Sequence, residues 1–114
     1  MAELLVDTDV IVDHLRSGEG PIPPPGTFDS AITRAELFAG RHADGAGLRR
    51  VLAPMGELPV DRSVAELGGR VRREAGLALP DALIAATAIS HGLALHTRNR
   101  RHFERVPRLR LSAP

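Results

Sequence analysis

The chain has 114 residues, 43% of them apolar and 25% charged, with a net charge of +1, which is the balance of one folded globular domain rather than a disordered segment. It has no Cys, which excludes disulfides, thiolate nucleophiles and Cys-ligated zinc; all fifteen basic residues are Arg, which excludes Schiff-base chemistry, the phosphate-loop lysine and Ser–Lys dyads. Three Phe and no Tyr or Trp leave no aromatic platform for single-stranded nucleic acid, and no apolar run approaches the roughly 18 residues of a membrane span.

Met1 to Leu5 lacks the basic start and long apolar run of a signal peptide, so a cytoplasmic protein with a single domain over 1–114 is expected. Leu4-Leu5-Val6 is a short apolar run closed by Asp7, the pattern of a buried parallel strand. A helix follows from about Thr8 to Ser17. Gly18 to Gly26 is a loop, since its Pro and Gly residues hold neither a ladder nor a helix. A second strand is expected over Phe28–Ile32, then helices over Thr33–Gly40 and Gly45–Met55. Leu58-Pro59-Val60 reads as a strand placed at a sheet edge by its Pro. Asp61–Ala75 is a helix capped by Gly76, and Pro80–His91 a helix ended by Gly92. The latter has almost no polar face and is expected at the centre of the domain. Leu93–Thr97 is a strand, Asn99–Phe103 a helical turn and Leu109–Leu111 a last strand. Strands alternating with helices predict an α/β fold with a small parallel sheet covered on both faces.

Charge is unevenly placed. Residues 1–33 hold six acids against Arg16 alone, and residues 34–114 hold fourteen Arg against eight acids. Arg98, Arg100, Arg101, Arg105, Arg108 and Arg110 form the densest cluster, interrupted by Glu104. It reads either as a solvated surface or as a phosphate-binding rim, for which the planar guanidinium fork is well suited.

Open α/β sheets bind ligands beyond the carboxyl ends of their strands. Four polar positions fall there: Asp7 after the first strand, Glu36 in the first turn after the second, Asp81 at the head of the buried helix, and Asn99 after the strand ending at Thr97. Thr8 and Asp9 lie beside Asp7. Carboxylates sharing a crevice repel each other, and protons or hard divalent cations would offset that. Oxygen donors without Cys or paired His favour Mg²⁺ or Mn²⁺ over Zn²⁺. Local explanations stand beside this one. Thr33-Arg34-Ala35-Glu36 has the form of a capping box, Asp81 suits a helix dipole, and Asn99 suits a helix cap. His91 and His96 are poorly spaced as joint ligands, and His14 and His42 read as surface groups. No Ser sits in a nucleophile elbow.

The stretches LLVDTDVIVDHL (4–15), SAITRAELFAG (30–40), LPDALIAATAISHG (79–92) and LHTRNRRHF (95–103) resemble, in order, the four motifs of PIN-domain proteins, and more narrowly of VapC-type toxins. The resemblance implies a PIN-like three-layer sandwich and a metal-dependent ribonuclease. It places the Mg²⁺ or Mn²⁺ ligands at Asp7, Glu36 and Asp81. It implies structured RNA such as transfer or ribosomal RNA as substrate, a VapB-like antitoxin partner and a homodimer. The apolar faces Val10–Leu15 and Leu37–Phe38 are candidate partner contacts. The family often places a fourth acid where this chain has Asn99 or His102. Asn99 keeps a ligand oxygen without charge, and His102 could assist as a base or contact phosphate.

On this reading Asp7 and Asp81 hold the cation, Glu36 binds it or a coordinated water and helps deprotonate the attacking water, and Asn99 with Thr8 or Thr97 completes the polar shell. Two rivals remain. DTDVIV also resembles the opening of haloacid-dehalogenase-type phosphatases, which normally need a later basic residue, usually Lys, that this chain lacks. The other is a degenerate PIN fold that binds RNA or a protein partner without catalysis.

Overall fold

The computed structural model describes residues 3–18, 26–41 and 43–114; most of the loop expected at 18–26 lies outside them, as does His42. The elements in chain order are β1 (Leu4–Val6), α1 (Thr8–Ser17), β2 (Phe28–Ser30), α2 (Ala31–Ala39), α3 (Gly45–Leu52), β3 (Gly56–Leu58), α4 (Arg62–Ala75), α5 (Leu79–Ser90), β4 (Ala94–His96), α6 (Arg100–Phe103) and β5 (Leu111–Ser112). The five strands pair in parallel in the order β3-β2-β1-β4-β5. No helix among the described residues is long and apolar enough to cross a membrane.

The expected covering of both sheet faces is present. Leu5 and Val6 are both fully buried but enter different cores, as successive strand residues must. Val6 packs with Val10, Ile11, Leu37, Leu48 and Leu52 of α1, α2 and α3. Leu5 packs with Val71, Leu77, Ile84, Leu95 and Phe103 on the other side, where α5 carries six buried residues. Val10, Ile11 and Leu37, expected as partner contacts, are therefore core; Phe38 beside them is 40% exposed.

Local chemistry sets the ends. Asp7 and Asp61 cap α1 and α4, and Gly18 and Gly76 close them with left-handed backbone. Several boundaries differ from expectation. The helix after β2 begins at Ala31 instead of Thr33, because the Ser30 hydroxyl caps it by accepting from the Ile32 amide. The strand expected at 58–60 lies at Gly56–Leu58, where Pro59 has no ladder amide to withhold. It is an edge strand, as the Pro implied. The α3 helix stops at Leu52, short of Pro54.

The α4 and α5 helices pack tightly at Gly68. A Cβ added there would stand 2.5 Å from Leu83 Cδ2 and 3.4 Å from Leu83 Cα, whereas one added at Gly69 meets nothing within 4 Å. The two substitutions should therefore act oppositely in denaturant unfolding. Gly69→Ala should stabilise by up to about 1 kcal/mol through helix propensity. Gly68→Ala should destabilise, since overpacking of about 1–3 kcal/mol exceeds that gain. Equal shifts would contradict this packing.

Candidate active site

The strand order reverses direction at β1 and β4: from β1 the chain crosses to β2 on one side, from β4 to β5 on the other. Such a switch point opens a crevice at the carboxyl ends of the two strands. A cleft of about 520 Å³ lies there, its walls including Asp7, Thr8, Asp9, Glu36, Asp81, Asn99 and His102. All four residues singled out in the sequence reach it.

Asp7 is the deepest, at 6% exposure. Its amide donates to His96 O, which continues the β1–β4 pairing and fixes the backbone. Oδ1 accepts from the Thr8 amide at 2.9 Å and Oδ2 from the Thr97 hydroxyl at 2.9 Å. These bonds favour the carboxylate, but burial outweighs them, and with the charges of Asp9 and Asp81 pushes the Asp7 pKa up to about 7.

The capping-box explanation of Glu36 fails. With Ser30 as the cap, Glu36 lies in the second turn of α2, too far along to return a bond to the helix start. Its Oε1 accepts from the Thr8 hydroxyl at 2.7 Å, while fully buried Thr33 faces that hydroxyl at 2.9 Å. Thr8 has one proton to give, and the shorter, charge-assisted bond to Glu36 takes it. Asp81 Oδ2 faces His102 Nε2 at 2.8 Å, so Asp81 is tied across the cleft to α6 as well as heading α5. Asn99 occupies the N-cap of α6, but its side chain makes no capping bond. Its backbone N–H donates to Thr97 Oγ1, the hydroxyl that serves Asp7.

Beyond Asp9, one wall went unread in the sequence. Asp9, Val12, Asp13 and Arg16 all line the cleft from α1. Their spacing of three, four and seven from Asp9 puts them on one helical face, a signal available in the sequence. Asp9 stands 3.3 Å from Thr97 Oγ1, whose proton goes to the nearer Asp7, and accepts from the Arg98 backbone amide at 3.4 Å, while Asp13 pairs with the Arg98 guanidinium. The remaining histidines have other surroundings. His96 is buried with Nδ1 3.1 Å from Ser112 Oγ, and burial lowers its pKa. His91 is exposed beyond α5, and His14 is half-buried on α1.

Apart from the His102 imidazole, the donors of the cleft are oxygens of carboxylates, hydroxyls and one side-chain amide, which suits a hard divalent cation. Asp7 is raised first by burial and then by the charges of Asp9 and Asp81, and a cation would offset that cost. Among the described residues no three His, Asp or Glu side chains already form a group able to hold a metal ion. Thr8 engages one oxygen of Glu36, Oε1, and His102 one oxygen of Asp81, Oδ2.

The family model of the PIN domain matches residues 4–109. Ribonuclease VapC19 of Mycobacterium tuberculosis is 34% identical over 119 residues, covering 92% of this chain and 95% of the relative. A toxin–antitoxin complex from Klebsiella pneumoniae superposes with a TM-score of 0.80 at 30% identity, covering 94% of this chain and 95% of that one. DNA-bound VapBC from Salmonella typhimurium superposes with a TM-score of 0.85 over 99% of this chain and 98% of that one; at 24% identity it speaks for the fold.

Proposed function

The chain belongs to the PIN-domain family, in its VapC-type branch, and from that premise we propose that it is a divalent-metal-dependent ribonuclease, the toxin of a toxin–antitoxin pair. The observation that carries this reading is the convergence of Asp7, Asp9, Glu36 and Asp81 on one cleft, with Asp7 pushed up to about 7 by burial and its acidic neighbours.

Asp7, Asp81 and Glu36 would hold Mg²⁺ or Mn²⁺. The cation supplies Lewis acidity, which offsets phosphate charge and makes water a competent nucleophile at neutral pH. The chain's own groups do the rest. Thr97 and the Thr8 amide fix both oxygens of Asp7. The Thr8 hydroxyl orients Glu36, which takes the proton of the attacking water. Asn99 adds an uncharged oxygen where a fourth acid would add more repulsion. His102 is a positioning residue through Asp81. Arg16 and Arg98 at the cleft wall meet phosphate oxygens.

The substrate is RNA, with transfer or ribosomal RNA as the expected class. A VapB-like antitoxin is the expected partner, supported by the similarity to toxin–antitoxin complexes, and a homodimer is the oligomer that the family resemblance implies. The test is incubation of total cellular RNA with purified chain freed of any partner, in Mg²⁺ or Mn²⁺ and in EDTA. Discrete fragments with metal and none with EDTA are expected. A folded protein that cuts nothing would overturn the nuclease in favour of a binding-only PIN fold, and cleavage indifferent to EDTA would overturn the metal.

A further inference from the structure

Beyond the cleft the chain runs back along one edge of the sheet. It leaves the carboxyl end of β4 at Thr97 and returns to the amino end, where Leu95 N bonds Arg110 O and the Arg110 guanidinium bonds Gly92 O. Phe103 and Val106, both buried, fasten this segment to the core. What projects outward is mostly basic: Arg98, Arg100, Arg101, Arg105, Arg108 and Arg110 are all exposed, with Glu104 as the one exposed acid among them. Arg98 is paired with Asp13 and Arg110 with backbone, but Arg100, Arg101, Arg105 and Arg108 have no ion pair among the described residues.

Arg108 is the informative member. Its φ of 66° lies in the left-handed region, and no other non-glycine among the described residues has positive φ. Glycine holds such backbone with less strain. The turn from Val106 to Leu109, with Pro107 at its second position, sets this backbone at Arg108, where glycine is the usual residue, and the exposed Arg108 side chain makes no bond within the fold that would explain keeping it.

We infer that this edge is a phosphate track continuing the cleft, which takes the RNA backbone flanking the cleaved bond, with Arg108 as its distal contact. The inference rests on the nuclease reading for the identity of the ligand. The track reads charge, not bases: Phe103 is buried, and the chain has no Tyr or Trp on which bases could stack. Guanidinium forks suit successive phosphates, and such contacts contribute sequence-independent, salt-sensitive affinity.

The test is fluorescence anisotropy of a fluorescein-labelled RNA hairpin in EDTA, where binding is read without cleavage. Arg108→Gly should weaken binding roughly three- to tenfold and lower the slope of log affinity against log salt by about one. Its melting temperature should not fall, because glycine suits the backbone. Arg70→Gln, which removes the same charge from the exposed face of α4, should leave affinity within about twofold of the parent. Unchanged hairpin affinity in Arg108→Gly, an equal loss in Arg70→Gln, or a lowered melting temperature in Arg108→Gly would each overturn the track. Failure of the nuclease reading is seen separately, as uncut RNA in metal, while the hairpin titration still reports on the edge.

Discussion

Asp7→Asn should reduce RNA cleavage on the order of 10³-fold or more, and at the same time raise the melting temperature of the metal-free protein. The two effects share one cause. Asp7 is nearly buried, faces the charges of Asp9 and Asp81, and has its pKa pushed up to about 7. At neutral pH without a cation the fold carries that unfavourable carboxylate, whose removal is worth at most about 4 kcal/mol. Asn occupies the same volume and caps α1 equally well through its carbonyl oxygen, so the fold loses little. Adding Mg²⁺ should raise the melting temperature of the parent and leave the variant where it is. The measurements are cleavage rate and thermal melting, each with and without metal. A variant that still cleaves, or one that is destabilised, would break the link between buried charge and chemistry.

The sequence was most legible where the signals are local. The run Leu4–Val6 ended by Asp7, the helix Thr8–Ser17, and the glycine at position 76 each carry their own explanation, and the structure has them there. The start of α2 was not, because Ser30 and Thr33 both satisfy the chemistry of a cap. Only the packing of Phe28–Ser30 against β1 and β3 decides between them. The site followed the same division. That Asp7, Glu36, Asp81 and Asn99 line one cleft was readable from the ends of strands and the starts of helices. What each one touches was not: the Thr8–Glu36 and Asp81–His102 contacts span 28 and 21 residues of sequence. Asp29 was the hardest to foresee. An acid in the middle of a short strand reads as a solvent-facing alternation, but this sheet is covered on both faces, so Asp29 is fully buried.

That burial sets the second large effect, which is on stability. Neither carboxylate oxygen of Asp29 has a hydrogen-bond partner among the described residues. Glu57 stands opposite it across the β2–β3 pair, and Arg34 of α2, whose charge relieves Asp29 only in part, is paired with Glu57 at 2.7 Å. Burial and the Glu57 charge push the Asp29 pKa up to about 7 from 3.8. The folded state thus holds a proton that the unfolded chain gives up near pH 4. Stability from this group is present below pH 4, falls as pH rises toward 7, and is fully lost above it. Asp29→Asn, of equal size and without the charge, should flatten that slope and gain stability at pH 8 relative to the parent, but little at pH 4. Asp29→Val should add more at both pH values, since it also removes two unsatisfied oxygens, worth about 1–3 kcal/mol, and suits a strand. Urea unfolding of the three proteins from pH 4 to 8 decides the matter. Parallel curves for parent and Asp29→Asn would mean that Asp29 is charged or neutral alike in both states, and that its burial is relieved in solution. Converging curves at low pH would identify it as the buried acid that limits this fold in neutral buffer.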